Sequence, residues 1–144
     1  MTRRPFLLLA LPAAALLAAC ATVPPGEAPM PPEADACDAI SSANWAAWIN
    51  AMPGPEGPHL LVTGDVTVPT GGWQVALELG PTMRSQPPIQ IVDLRLTPPN
   101  GMATQAIVTH QARGRFPALP SYRSVVVRCG GRELATISPV ETAH

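Results

Sequence analysis

The sequence predicts a mainly β protein, a small antiparallel sandwich led by one helix. Three observations carry that expectation. Beyond residue 58 the apolar residues recur with a period of two, short turns rich in glycine and proline separate the runs, and no helical pattern intervenes. A chain of 144 residues has room for one domain and a tail, which excludes a multidomain enzyme or a large barrel.

The first folded element is read between Asp38 and Met52. Asp38 can cap a helix, and Ile40, Trp45, Trp48, Ile49 and Met52 form one apolar stripe at helical spacing. Pro53, Pro55 and Pro58, with Gly54 and Gly57, stop it. On such a stripe Trp45 and Trp48 are core residues before they are a ligand-stacking pair.

The strands follow. From Leu60 to Val68 the even positions are apolar or glycine, and the odd positions after Leu61 are polar. Trp73 to Leu79 repeats the alternation after a turn at Pro69-Thr70-Gly71-Gly72. Ile89 to Leu96 is a third strand whose apolar phase slips from Ile89 and Ile91 to Val92, Leu94 and Leu96, as a bulge or local twist would produce. Pro98-Pro99-Asn100-Gly101 precedes a weaker strand around Ala103–Ala112. Tyr122 to Cys129 and Arg132 to Ile137 flank Gly130-Gly131, a two-residue hairpin signal. Strands joined by short turns point to an immunoglobulin-like or fibronectin-type-III-like sandwich with a leading helix. A tight antiparallel sheet with the helix on one face is the other arrangement the pattern allows.

The N-terminus reads as an address. Thr2-Arg3-Arg4 is a short positive head, and the apolar run from Pro5 to Ala19 contains Pro12. A spanning helix needs about 20 apolar residues, so the run fits the central region of a signal peptide better. It ends in Leu17-Ala18-Ala19-Cys20. These four residues resemble the lipobox of bacterial lipoproteins. The resemblance implies that residues 1–19 are removed, that the Cys20 thiol receives a diacylglyceryl group, and that the new amine is acylated. Two or more acyl chains anchor a protein stably where one does not. Ala21 follows the cysteine where an aspartate would favour inner-membrane retention, so the implied destination is the outer membrane, facing the periplasm. Thr2-Arg3-Arg4-Pro5-Phe6-Leu7 also resembles a twin-arginine signal. The short head and strongly apolar run favour the general secretory route.

Residues 20–36 form the expected tether. Pro24, Pro25, Pro29, Pro31 and Pro32 alternate with Glu27, Glu33 and Asp35. Such sequence extends by about 3.1 Å per residue, giving a reach of roughly 50 Å. The domain proper spans 37–144. In an oxidising compartment Cys37 and Cys129 are expected to pair, closing nearly the whole domain. Free thiols or a metal pair are the alternatives. A zinc site is the weaker one, since no C-x-x-C spacing is present.

Chemistry-bearing patterns are sparse. The mature histidines are His59, His110 and His144, and no serine lies in G-x-S-x-G. His59 and His110 read as polar strand residues. His59, His110, Met83 and Met102 are conceivable copper ligands, but they are scattered along the chain. Asp65, Glu78 and Asp93 would be an acid/base pair only if two converged, and each lies on a polar strand phase. No catalytic residue, metal site or cofactor is therefore expected.

Charge is uneven. Residues 111–144 carry a balance of +3, with Arg113, Arg115, Arg123, Arg128 and Arg132, and residues 20–110 carry −6. The net charge of −1 gives no reason to expect nucleic acid. An anion-facing surface would suit an acidic envelope partner. However, Arg113, Arg115 and Arg123 flank one loop and Arg128 and Arg132 the opposite hairpin, so two small basic ends are expected. A second resemblance concerns the two ends of the domain. Cys37 opening a short helix, with Val125-Val126-Val127-Arg128-Cys129-Gly130 as a late strand, is similar to small bacterial inhibitors related to potato-type serine-protease inhibitors. It implies an exposed inhibitory loop, with Thr97–Met102 and Pro81–Pro88 as candidates.

The expected function is thus a lipid-anchored, non-catalytic envelope module that binds an envelope protein or an anionic envelope component. A periplasmic protease inhibitor is the alternative.

Overall fold

The computed structural model describes residues 36–144. The expected signal segment, Cys20 and the expected tether to residue 35 lie outside the described residues. Eight strands follow in order: β1 Ser41–Asn50, β2 His59–Val68, β3 Gln74–Met83, β4 Ile89–Thr97, β5 Val108–Pro117, β6 Ser124–Cys129, β7 Arg132–Ile137 and β8 Glu141–Ala143. They make two four-stranded sheets, ordered β5-β2-β1-β8 and β3-β4-β6-β7. One core joins them, with Ile49, Leu60 and Val62 from the first sheet and Val92, Val125 and Val127 from the second.

β2 follows the period-two pattern along its whole length. Leu60, Val62, Gly64, Val66 and Val68 are buried, and every intervening residue is partly exposed. Its neighbour is where the expectation fails. No helix forms between Asp38 and Met52; Ser41–Asn50 is strand β1. It pairs antiparallel with β2 from Ser41 opposite Thr67 to Asn50 opposite His59. Helix propensity is worth only tenths of a kcal/mol per residue, and strand pairing with burial of Ala47 and Ile49 outweighs it. The register shifts between Ala43 and Ala46, where Asn44 has φ 55°. At that bulge Trp45, in phase with Ala47 and Ile49, packs toward the core while Trp48 faces outward. The single helical stripe is split, leaving Ile40 and Met52 exposed at the two ends of β1.

The phase slip expected in β4 is a bulge in its partner. Leu79 lies opposite Val92 and Thr82 opposite Gln90, so Gly80 and Pro81 together face Ile91. The inward Gln90 is 2% exposed. Its Nε2 donates to the Gly80 carbonyl at 2.9 Å and the Ile91 carbonyl at 2.7 Å, and its Oε1 accepts from the Thr82 hydroxyl at 2.7 Å. A buried amide thus satisfies the backbone that the bulge disrupts.

The sheets are mixed and not antiparallel as expected. β4 pairs parallel with β6, and β1 parallel with β8. Between β4 and β6 the chain visits the first sheet as β5, so the direction is no longer reversed by a hairpin. The weak strand expected at Ala103–Ala112 lies further on, at Val108–Pro117, because β5 pairs β2 from Val68–Val108 to His59–Pro117. Cys37 and Cys129 are bonded, with Cα atoms 5.3 Å apart.

Candidate functional site on the outer face of the first sheet

The outward phase of the first sheet begins with β1 and β2. Trp48 lies beside Leu61, and Leu61 beside Arg115 on β5; in the next row Ala46, Thr63 and Arg113 are neighbours. Trp48, Leu61, Thr63, Gln111, Arg113 and Arg115 line an open depression of about 520 Å³. Its floor is apolar and its β5 rim is cationic. Arg115 Nη2 reaches Glu56 Oε2 at 2.8 Å and stands 3.4 Å from His59 Nδ1. Arg113 Nε donates to Gln111 Oε1 at 2.9 Å, and no carboxylate binds Arg113 among the described residues. The face offers a flat hydrophobic platform beside one guanidinium that is not ion-paired. Such a combination suits recognition of an apolar group that carries an anion or hydrogen-bond acceptor.

The outer face of the second sheet differs. Glu78 and Asp93 are register neighbours, so like charges stand side by side, each held by an arginine. Arg95 Nε lies 2.9 Å from Glu78, and Arg128 Nη2 lies 3.1 Å from Asp93. Two of the three candidate carboxylates are therefore brought together, but within a solvated charge ladder. Asp65 is on the other sheet and accepts from Asn44 Nδ2 at 2.7 Å.

His59 and His110 lie on opposite faces of the first sheet. His59 faces the loop 51–58, 3.7 Å from Glu56. His110 pairs with the inward Val66, and its Nε2 is buried without a hydrogen-bond partner among the described residues. Trp45 Nε1 is in the same condition. Met83 lies beside Ile89 and Met102 in the loop after β4, at opposite ends of the sheets. No group of three His, Cys, Asp or Glu able to hold a metal occurs among the described residues.

Arg113 and Arg115 share the outer face of β5, and Arg123 donates to the Gln86 carbonyl at 2.9 Å. Arg128 and Arg132 flank the β6–β7 turn, with Arg128 neutralised by Asp93. Of the candidate inhibitory loops, Pro81–Met83 belongs to β3, and 98–102 is loop with Met102 fully exposed. The late strand of the inhibitor resemblance is present as β6; its helix is replaced by β1.

The sequence reading missed Trp48 and Leu61 as a pair. One signal was there: Leu61 is the apolar residue on the otherwise polar phase of β2. No family model, curated protein or solved structure matches the chain.

Proposed function

We propose that this chain is an exported lipoprotein, acylated at Cys20 and held at the outer membrane by the tether 20–36. Its domain acts by binding, and the outer face of the first sheet is the contact surface. The observation that carries the reading is the Cys37–Cys129 bond. A closed disulfide suits an oxidising compartment, and it leaves Cys20, directly after a signal-like segment, as the remaining cysteine of the three. The domain shares two packed sheets of short strands with immunoglobulin-like and fibronectin-type-III-like sandwiches, and we extend the proposal to that likeness. The mixed pairing is its departure from them. The partner is an envelope protein or an anionic envelope component that covers Trp48 and Leu61 and engages Arg113.

Mass spectrometry of the membrane-extracted protein tests the anchor. The mature chain should begin at Cys20 with diacylglyceryl attached, and Cys20→Ser should remain full-length precursor. Normal maturation of Cys20→Ser would sink the reading. Crosslinking from the Trp48 face, compared with the Arg95 face of the second sheet, should recover the partner from the first position alone.

A further inference from the structure

Two loops at one end of the domain carry no charge. That end gathers the β2–β3 turn, the β4–β5 loop, the β6–β7 turn and the segment 36–40. Every residue from Val66 to Leu77 and from Leu96 to Thr109 is uncharged, and these two segments pack on one another. Gly71 N donates to the Thr104 carbonyl at 3.0 Å, and Gly72 stands against Pro99. From this end project Met102, fully exposed, Ile107, 68% exposed, and Ile40, 54% exposed. The charges at this end lie outside the two loops: Asp38 in the segment 36–40, Arg95 near the end of β4, and exposed Arg132 and Glu133 after the β6–β7 turn. The opposite end carries Glu56, Arg84 and Arg123 in its loops, besides exposed Met52, Met83 and Leu119.

The chain reaches the domain at the end with the two uncharged loops. Ala36 lies with Leu96, Thr97 and Gly130, Cys37 is bonded to Cys129, and Ile40 N donates to the Thr67 carbonyl at 2.8 Å. Cys20 is therefore joined to the end that carries the two uncharged loops, through sixteen residues.

We propose that this end of the domain rests on the lipid bilayer, with Met102 and Ile107 inserted at the headgroup boundary. The inference rests on the lipid anchor at Cys20 and adds an orientation to it. Three apolar side chains bind a bilayer weakly on their own. Tethering raises their local concentration at the membrane, so that weak insertion becomes the prevailing state. The absence of charge from the loops 69–73 and 98–107 matters as much as their apolar tips, because a carboxylate or guanidinium there would have to be desolvated. In this orientation the strands stand away from the membrane, and the Trp48 face is presented sideways to partners in the periplasm.

Spin labels test the orientation. The acylated full-length protein is placed in vesicles of phosphatidylethanolamine and phosphatidylglycerol, with the label at Met102→Cys or, at the far end, Met52→Cys. Both positions are exposed, so neither substitution disturbs the core. A water-soluble nickel relaxant should reach label 102 roughly three-fold less than label 52, and oxygen dissolved in the lipid should reach it more. Adding Ile107→Asp should return label 102 to the accessibility of label 52. If acylated protein shows equal nickel access at both labels, bilayer contact is overturned and the anchor stands. If Cys20 carries no lipid by mass, the anchor fails and this inference with it. Protection of label 102 by a serine protease instead of by vesicles would assign the loop to an inhibitory contact and also overturn the proposal.

Discussion

The indole of Trp45 occupies the space that a side chain on Gly64 would need: a Cβ there would lie 2.6 Å from Trp45 Cζ3. The bulge in β1 and the missing side chain in β2 are thus two halves of one contact. The ring faces inward at the bulge, and glycine leaves room for it beneath the sheet.

Gly64→Ala should therefore destabilise the domain by about 2 kcal/mol, through overpacking against a ring that is partly buried. Urea unfolding followed by tryptophan fluorescence measures it. A variant as stable as the parent would show that Trp45 can leave its place at no cost.

The Cys37–Cys129 bond closes a loop with a sequence separation of 92. In the chain-entropy model such a closure contributes about 4–5 kcal/mol, as an upper value. The double variant Cys37→Ala/Cys129→Ala should lose most of that in chemical denaturation. Non-reducing peptide mapping should show the two cysteines in one linked peptide. Free thiols in protein taken from the periplasm would contradict the pairing.

Gln90→Leu keeps the volume of the side chain and removes its polar atoms. The Gly80 and Ile91 carbonyls and the Thr82 hydroxyl would each lose a partner that Gln90 provides. The expected loss is about 2 kcal/mol. Amide exchange should quicken around residues 80–82 before the rest of β3 if the bulge is what the amide holds.

Binding should depend on the outer face of the first sheet. Trp48→Ala and Arg113→Ala should impair rescue of an envelope phenotype in a deletion strain, with the protein still folded and membrane-bound. His59→Ala and His110→Ala should leave rescue nearly unchanged. Loss of rescue in either histidine variant, with normal folding and lipidation, would favour an enzyme or a metal protein over a binding module.

Much of the β architecture was legible because burial on one face of a strand writes a period of two into the sequence. β2, β4 and the β6–β7 hairpin appear where that period and their turns place them. β1 was not legible. Its tryptophans are three residues apart, a spacing that two structures explain equally well: neighbours on a helix, or opposite faces of a strand. β8 has three residues, too few for any period to show. The Trp48 face was hidden for the same reason as β1, since its residues come from three strands that only pairing brings into line.

By itself the sequence determined the strand-rich class, the alternation of β2 and the candidacy of Cys20, Cys37 and Cys129, because each is written in local spacing or residue type. Tertiary structure decided that Ser41–Asn50 is a strand, that β4 and β6 run parallel, and that Trp48 lines one depression with Arg113 and Arg115. Those outcomes depend on hydrogen bonds and burial between segments far apart in the chain. Their energies exceed the local preferences that a short window of sequence records.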